Sequence, residues 1–111
     1  MFAIRCQGAV EVIVPNVPLT GEHADELRET IEHCSSNGLP MVVLNLHDVP
    51  LIDSDGLESL LDIRDTVRER GGSVKLASLT PLSQDILRIT GVAEHFEVFP
   101  DDKAAVRSFV Q

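Results

Sequence analysis

The sequence predicts an α/β fold, and two observations carry that prediction. Short apolar runs rich in β-branched residues alternate with stretches of helical period, one of those runs is apolar almost without interruption, and the alternation calls for a sheet about five strands wide with parallel pairing at its centre. A chain of 111 residues that is 43% hydrophobic buries roughly two-thirds of its unfolded surface in a single core. The whole of residues 1–111 is therefore read as one domain.

Taken in order, Ala9 to Val14 is apolar and β-branched with Pro15 behind it, which suits a strand near the sheet edge, and Phe2 to Cys6 is its partner strand. From Thr20 to about Ser36, the residues Ala24, Leu27, Ile31 and Cys34 recur three and four apart and so share one helical face, with Asn37-Gly38 as the stop signal. Met41 to Leu46 shows no alternation, as expected of a central strand covered on both faces. A second helix follows the turn Asp53-Ser54-Asp55-Gly56, with Leu57, Leu60, Leu61, Arg64 and Val67 on its stripe and Gly71-Gly72 ending it. Val74 to Ser78 resumes extended structure, which makes a strand, helix and strand unit with a right-handed crossover. A third helix opens with Pro81 after Thr80, turns Leu82, Ile86 and Ile89 inward, and stops at Thr90-Gly91. A short strand around Phe96 to Phe99 precedes a last helix from about Asp101 to Phe109, with Asp101 and Asp102 at its positive N-terminal end.

Charge and missing motifs narrow the function classes. Eighteen acidic residues against nine basic ones leave a net charge of -9, whereas proteins that bind the phosphate backbone need clustered Lys and Arg. Nucleic acid is therefore excluded as a partner, and a basic protein surface is favoured by faster encounter. No apolar run approaches the ~20 residues of a membrane helix, and Met1 is not followed by a leader pattern. A cytoplasmic chain without membrane insertion is expected. Cys6 and Cys34 lack CxxC spacing, which points to small buried hydrophobes and not to a disulfide framework or a zinc site. The histidines His23, His33, His47 and His95 share no ligand spacing, and no Gly-rich phosphate loop is present. No metal, cofactor or catalytic residue is assigned.

The segment His47 to Gly56 leaves the C-terminal end of the central strand and enters a helix, and that end is where open α/β sheets place their sites. Asp53 or Ser54 caps the helix by accepting from its free N–H groups. Ser54 also reads as a phosphoacceptor, since a phosphate there meets free backbone N–H groups and the positive end of the helix dipole. Glu58, Asp62, Asp65 and Glu69 follow at spacings of four, three and four and form an acidic stripe. Such a stripe is a solvated face or, beside Ser54, a dock for a basic partner, with Ile63 as an exposed apolar contact at its edge. A hydrolase triad of His47, Ser54 and Asp48 or Asp53 is the enzymatic alternative, without the GxSxG elbow that would support it.

The run Val42-Val-Leu-Asn-Leu46, then Val49, then Ile52-Asp-Ser-Asp-Gly-Leu57, resembles the signature of the STAS domain, the fold of bacterial anti-sigma factor antagonists. Gly71-Gly-Ser-Val-Lys-Leu-Ala77 and Thr80-Pro81 through Ile89-Thr-Gly-Val92 match the rest of the pattern, over about residues 39 to 109. The resemblance implies a single STAS domain with a central mixed β-sheet and about four α-helices packed mainly on one face. It implies a non-enzymatic switch in which Ser54 is phosphorylated by a partner kinase. The implied partners are an anti-sigma factor or serine kinase of the histidine-kinase-like ATPase class and a phosphatase, with weak homodimerisation left open. The implied contact surface is Asp53, Ser54, Asp55, Gly56, Glu58, Ser59, Asp62 and Ile63. The chain departs from the family in having Asp55 directly after the acceptor and in Pro15 to Thr20, where Asn16 and Leu19 replace the usual Gly and Asp. The alternative within the same fold is a STAS subunit that binds the ATPase of an ABC-type lipid transporter.

Overall fold

The computed structural model describes residues 2–7, 9–34 and 40–109. Its elements in chain order are β1 (Ala3–Gln7), β2 (Val10–Val14), α1 (Gly21–Cys34), β3 (Met41–Asn45), α2 (Ser54–Glu69), β4 (Ser73–Ala77), α3 (Pro81–Ile89), a 3-10 turn (Val92–His95), β5 (Val98–Phe99) and α4 (Asp102–Phe109). The five strands lie in sequence order across one sheet. β1 pairs antiparallel with β2, and every later pairing is parallel.

Period-two alternation sorts the strand side chains into two cores. Ile13, Val42, Leu44, Val74 and Leu76 pack against Leu27 and Ile31 of α1, Leu60, Ile63 and Val67 of α2, and Leu87 of α3. Val10, Val12, Val43 and Ala77 point the other way, onto Ala105, Val106 and Phe109 of α4. β2 to β5 are parallel and lie in sequence order, so crossovers of one hand carry α1, α2 and α3 to the same face. α4, which follows the last strand, covers the other. The helices are thus mainly on one face, as the resemblance implies, and the uninterrupted apolar run of β3 is explained by cover on both sides.

Two helical faces differ from expectation. In α3 the inward residues are Ser83 and Leu87, while Leu82 is 51% exposed and Ile89 78% exposed, with Ile86 only half-buried. The start of the helix fixes this phase: Pro81 holds the first position, and the Thr80 side-chain oxygen accepts from the Ser83 backbone N–H at 3.1 Å. In α2 the buried set is Gly56, Ser59, Leu60, Ile63 and Val67. Ile63, expected at the surface, is 1% exposed, because it lies three residues after Leu60 and four before Val67 and so shares their stripe. Leu57 and Leu61 pack at the edge of the core, and Arg64 is half-buried and pairs with Asp65 at 3.3 Å. The end of α2 is as expected: Gly71 takes φ +81, and the Gly72 N–H donates to the Val67 carbonyl at 3.0 Å. The Cys6 and Cys34 side chains, Ser36 and the Asn37-Gly38 stop lie outside the described residues.

Lys75, in the middle of β4, is buried on the α4 face. Its ammonium donates to the Ser108 hydroxyl at 2.7 Å, pairs with Glu97 at 3.3 Å and lies 4.2 Å from the centroid of the Phe109 ring. These contacts fasten the C-terminal turn of α4 to the sheet, and Arg5 pairs with Asp102 at its N-terminal turn. Lys75→Met keeps the aliphatic stem and removes the charge. It should cost about 1–2 kcal/mol in denaturant unfolding and raise hydrogen exchange in α4 before any other helix; an unchanged transition midpoint would refute the fastening role.

Candidate functional site

β3 ends in a turn in which the Asn45 side-chain oxygen accepts from the His47 backbone N–H at 3.0 Å. Val49 and Ile52 are buried below it. Ile52 then forms an isolated parallel bridge with Leu19: the Leu19 N–H donates to the Leu51 carbonyl at 2.9 Å, and the Asp53 N–H donates to the Leu19 carbonyl at 3.3 Å. The segment leaving β2 is therefore joined, backbone to backbone, to the turn that starts α2.

Asp53 is the N-cap, with extended backbone and its carboxylate accepting from the Gly56 N–H at 2.9 Å. Ser54 is the first residue of α2 and is exposed, and its hydroxyl takes no part in the cap. The capping alternatives thus resolve in favour of Asp53. Gly56 is buried against the Leu19 backbone, and a Cβ built there would stand 2.1 Å from the Leu19 carbonyl oxygen. The glycine is required by space.

Beyond Ser54 an open groove runs between the N-terminal halves of α1 and α2, lined by Gly21, Asp25 and Arg28 on one side and Asp55, Glu58, Ser59 and Asp62 on the other. Arg28 bridges the two helices, 3.1 Å from Asp25 and 3.7 Å from Asp62. Four carboxylates against one guanidinium make the groove strongly acidic. Asp55, Glu58 and Asp62 stand at its exposed rim, while Ser59 is only 6% exposed and belongs to its floor. Asp65 and Glu69 continue the exposed stripe. Of the expected contact residues, Asp53 and Gly56 shape the turn, and Ile63 belongs to the core. The α1 wall went unforeseen. Its only local trace is Asp25 and Arg28 three apart, and nothing in one helix reveals that it lines a groove with another.

His47 Nδ1 lies 3.1 Å from Asp48 Oδ1, and both side chains are exposed. No hydrogen bond joins either to Ser54 among the described residues, so the triad geometry is not assembled. No group of three or more His, Cys, Asp or Glu side chains among the described residues is arranged to hold a metal ion. No helix among them is long and apolar enough to cross a membrane.

Gly56→Ala should destabilise the fold by about 2–3 kcal/mol, as forced overpacking does, and should expose Pro15 to Thr20 to proteolysis. Asp53→Ala removes one cap and should cost about 1 kcal/mol without loosening that segment. Equal losses from both variants in thermal unfolding would contradict the close-approach account.

The STAS domain family model matches residues 1–105. A putative anti-sigma factor antagonist from Thermotoga maritima superposes with a TM-score of 0.89 at 20% identity, covering 99% of this chain and 95% of that one. The anti-sigma factor antagonist SpoIIAA in its unphosphorylated form gives 0.80 at 16% identity, over 100% and 98%. A murine solute-carrier anion transporter in its inward-facing state gives 0.80 at 19% identity, over 92% of this chain but 18% of the transporter. No curated protein matches in sequence. At these identities the structural likenesses speak for the fold, and the family model covers nearly the whole length. The chain belongs to the STAS domain family.

Proposed function

We propose that this chain is a partner-switching regulator of the anti-sigma factor antagonist type. It binds an anti-sigma factor or serine kinase of the histidine-kinase-like ATPase class through the Ser54 turn and the acidic groove. Phosphorylation of Ser54 ends that binding, and a phosphatase restores it. A cytoplasmic location and the absence of catalysis belong to the same reading.

One observation carries it: Ser54 is exposed at the first position of α2 while its neighbour Asp53 holds the cap. The hydroxyl is accessible to a kinase, and esterifying it breaks no hydrogen bond of the fold. A phosphate would bring about -1.5 to -2 charges to a rim already occupied by Asp55 and Glu58. The added negative charge would by itself attract a basic partner, so release follows from the bulk of the phosphate, which displaces a partner packed closely over the Ser54 hydroxyl. The likeness to two anti-sigma factor antagonists supports this reading. The same fold also occurs within a murine solute-carrier anion transporter, and a second reading of the domain makes it a subunit bound to the ATPase of an ABC-type lipid transporter.

Ser54→Ala should leave stability within about 0.5 kcal/mol of the parent, as exposed substitutions do, and should retain partner binding. Ser54→Glu should weaken binding at least about tenfold, a change of about 1.4 kcal/mol. Incubation with the captured kinase and ATP should place one phosphate on Ser54 by mass spectrometry. If wild type, Ser54→Ala and Ser54→Glu retrieve one partner with equal affinity, the switch is wrong. Co-purification of all three with a membrane-bound ATPase favours the transporter reading.

A further inference from the structure

α2 carries charges of opposite sign on its two flanks. Asp55, Glu58 and Asp62 face α1, while Arg64 and Arg68, four residues apart and therefore on one side of the helix, face the start of β4 and the 3-10 turn. There they line a second open groove of about 220 Å³, together with the main chain of Gly72 and Ser73, the His95 ring and Glu97. We propose that this groove is an anion-binding site, and that it takes a single phosphate-sized oxyanion, free or as the head of a small phosphomonoester.

The chain has eighteen acidic residues to nine basic ones, so a base has carboxylates enough to choose from. Arg5, Arg28, Arg64, Lys75 and Arg88 each pair with one. Arg68 and His95 do not: neither side chain makes a hydrogen bond or ion pair among the described residues, and both are exposed at the groove. The carboxylates beside them are already engaged. Glu97 pairs with Lys75 at 3.3 Å, and Asp65 occupies one Arg64 donor at 3.3 Å. The other Arg64 donors, the Arg68 fork and a His95 ring N–H are left for an acceptor. A guanidinium fork suits the paired oxygens of a phosphate group.

The main chain adds a donor. β5 begins opposite Leu76, whose N–H donates to the Glu97 carbonyl at 3.0 Å. Two residues earlier on the same edge no strand stands against Val74, so its N–H opens onto the groove.

Size and charge choose the ligand. The groove is smaller than the ~300–1,000 Å³ of pockets that hold drug-sized molecules, so it fits one charged head and not a nucleotide. The C-terminal end of α2 opposes an anion with roughly half a unit of negative charge, which two guanidinium groups exceed. Glu58 lies a full ten residues before Arg68, about 15 Å along the helix, beyond the ~10 Å screening length of 0.1 M salt.

Titration of the full chain with anions, followed by heteronuclear NMR, tests this. Sulfate, inorganic phosphate and glycerol phosphate are each compared with chloride at matched ionic strength. The oxyanions should shift the amides of Arg68, Gly72, Val74 and His95 along saturating curves. Their dissociation constants should be on the order of 1 mM, as a few charged contacts in an open groove allow. Glycerol phosphate binding at least about threefold tighter than inorganic phosphate assigns the site to a phosphomonoester, and equal affinities assign it to the free ion. Arg68→Glu, at an exposed position, should weaken binding at least about tenfold with the remaining resonances in place, and Arg64→Gln about threefold. Shifts that do not saturate, an equal response to chloride, or binding undiminished in Arg68→Glu would each overturn the proposal.

Discussion

The candidate site depends on one close approach of two backbones, that of the Leu19 carbonyl to the first turn of α2. The bridge between Leu19 and Ile52 ties the segment leaving β2 to the turn leaving β3. α1 starts at Gly21, two residues after Leu19, so the bridge also decides where the first turn of α1 stands relative to α2. The groove between them, with Asp25 and Arg28 facing Asp55, Glu58 and Asp62, follows from that placement. Any side chain at residue 56 would act as a wedge under the whole arrangement. Burial of Leu19 and Ile52 supplies the apolar free energy that keeps the contact closed, roughly 1.5–3 kcal/mol for each side chain.

The sheet was legible because its signals are local. A run such as Met41 to Asn45 announces a doubly covered strand by composition alone, and Gly71 announces a helix end because few other residues take its positive φ. Helical phase was less legible. Leu82, Ile86 and Ile89 make a regular stripe, and regularity alone reads as a core face. The choice between that stripe and Ser83 with Leu87 is made by the capped start at Thr80 and by the small Ser83 side chain, which lets the helix lie close. Both inputs are visible in the sequence, but their consequence for burial depends on where the sheet lies. The same holds for Ile63, whose neighbours at three and four residues are core, against an expectation drawn from its acidic surroundings. The turn at Ser54 was legible as a site, whereas the α1 wall was not, since it comes into being only when Leu19 meets Gly56.

The division of labour at the start of α2 bears on how a charge at Ser54 would act. Asp53 already satisfies one of the free N–H groups, so a phosphate would draw on the helix dipole and on the remaining donors, an attraction of about 0.3–1 kcal/mol at an exposed terminus. Against it stand the carboxylates of Asp53, Asp55 and Glu58. Two unit charges about 7 Å apart in water repel by about 0.6 kcal/mol, and a phosphate carries nearly two. Three such pairs come to a few kcal/mol before salt, so repulsion exceeds the dipole. A phosphate at this turn would therefore be accommodated sterically and disfavoured electrostatically. The phosphorylated state would be the strained one, relieved by hydrolysis and sensitive to ionic strength. Asp55 sets much of that strain, because it places a second carboxylate directly beside the hydroxyl, on the rim that a basic partner would need.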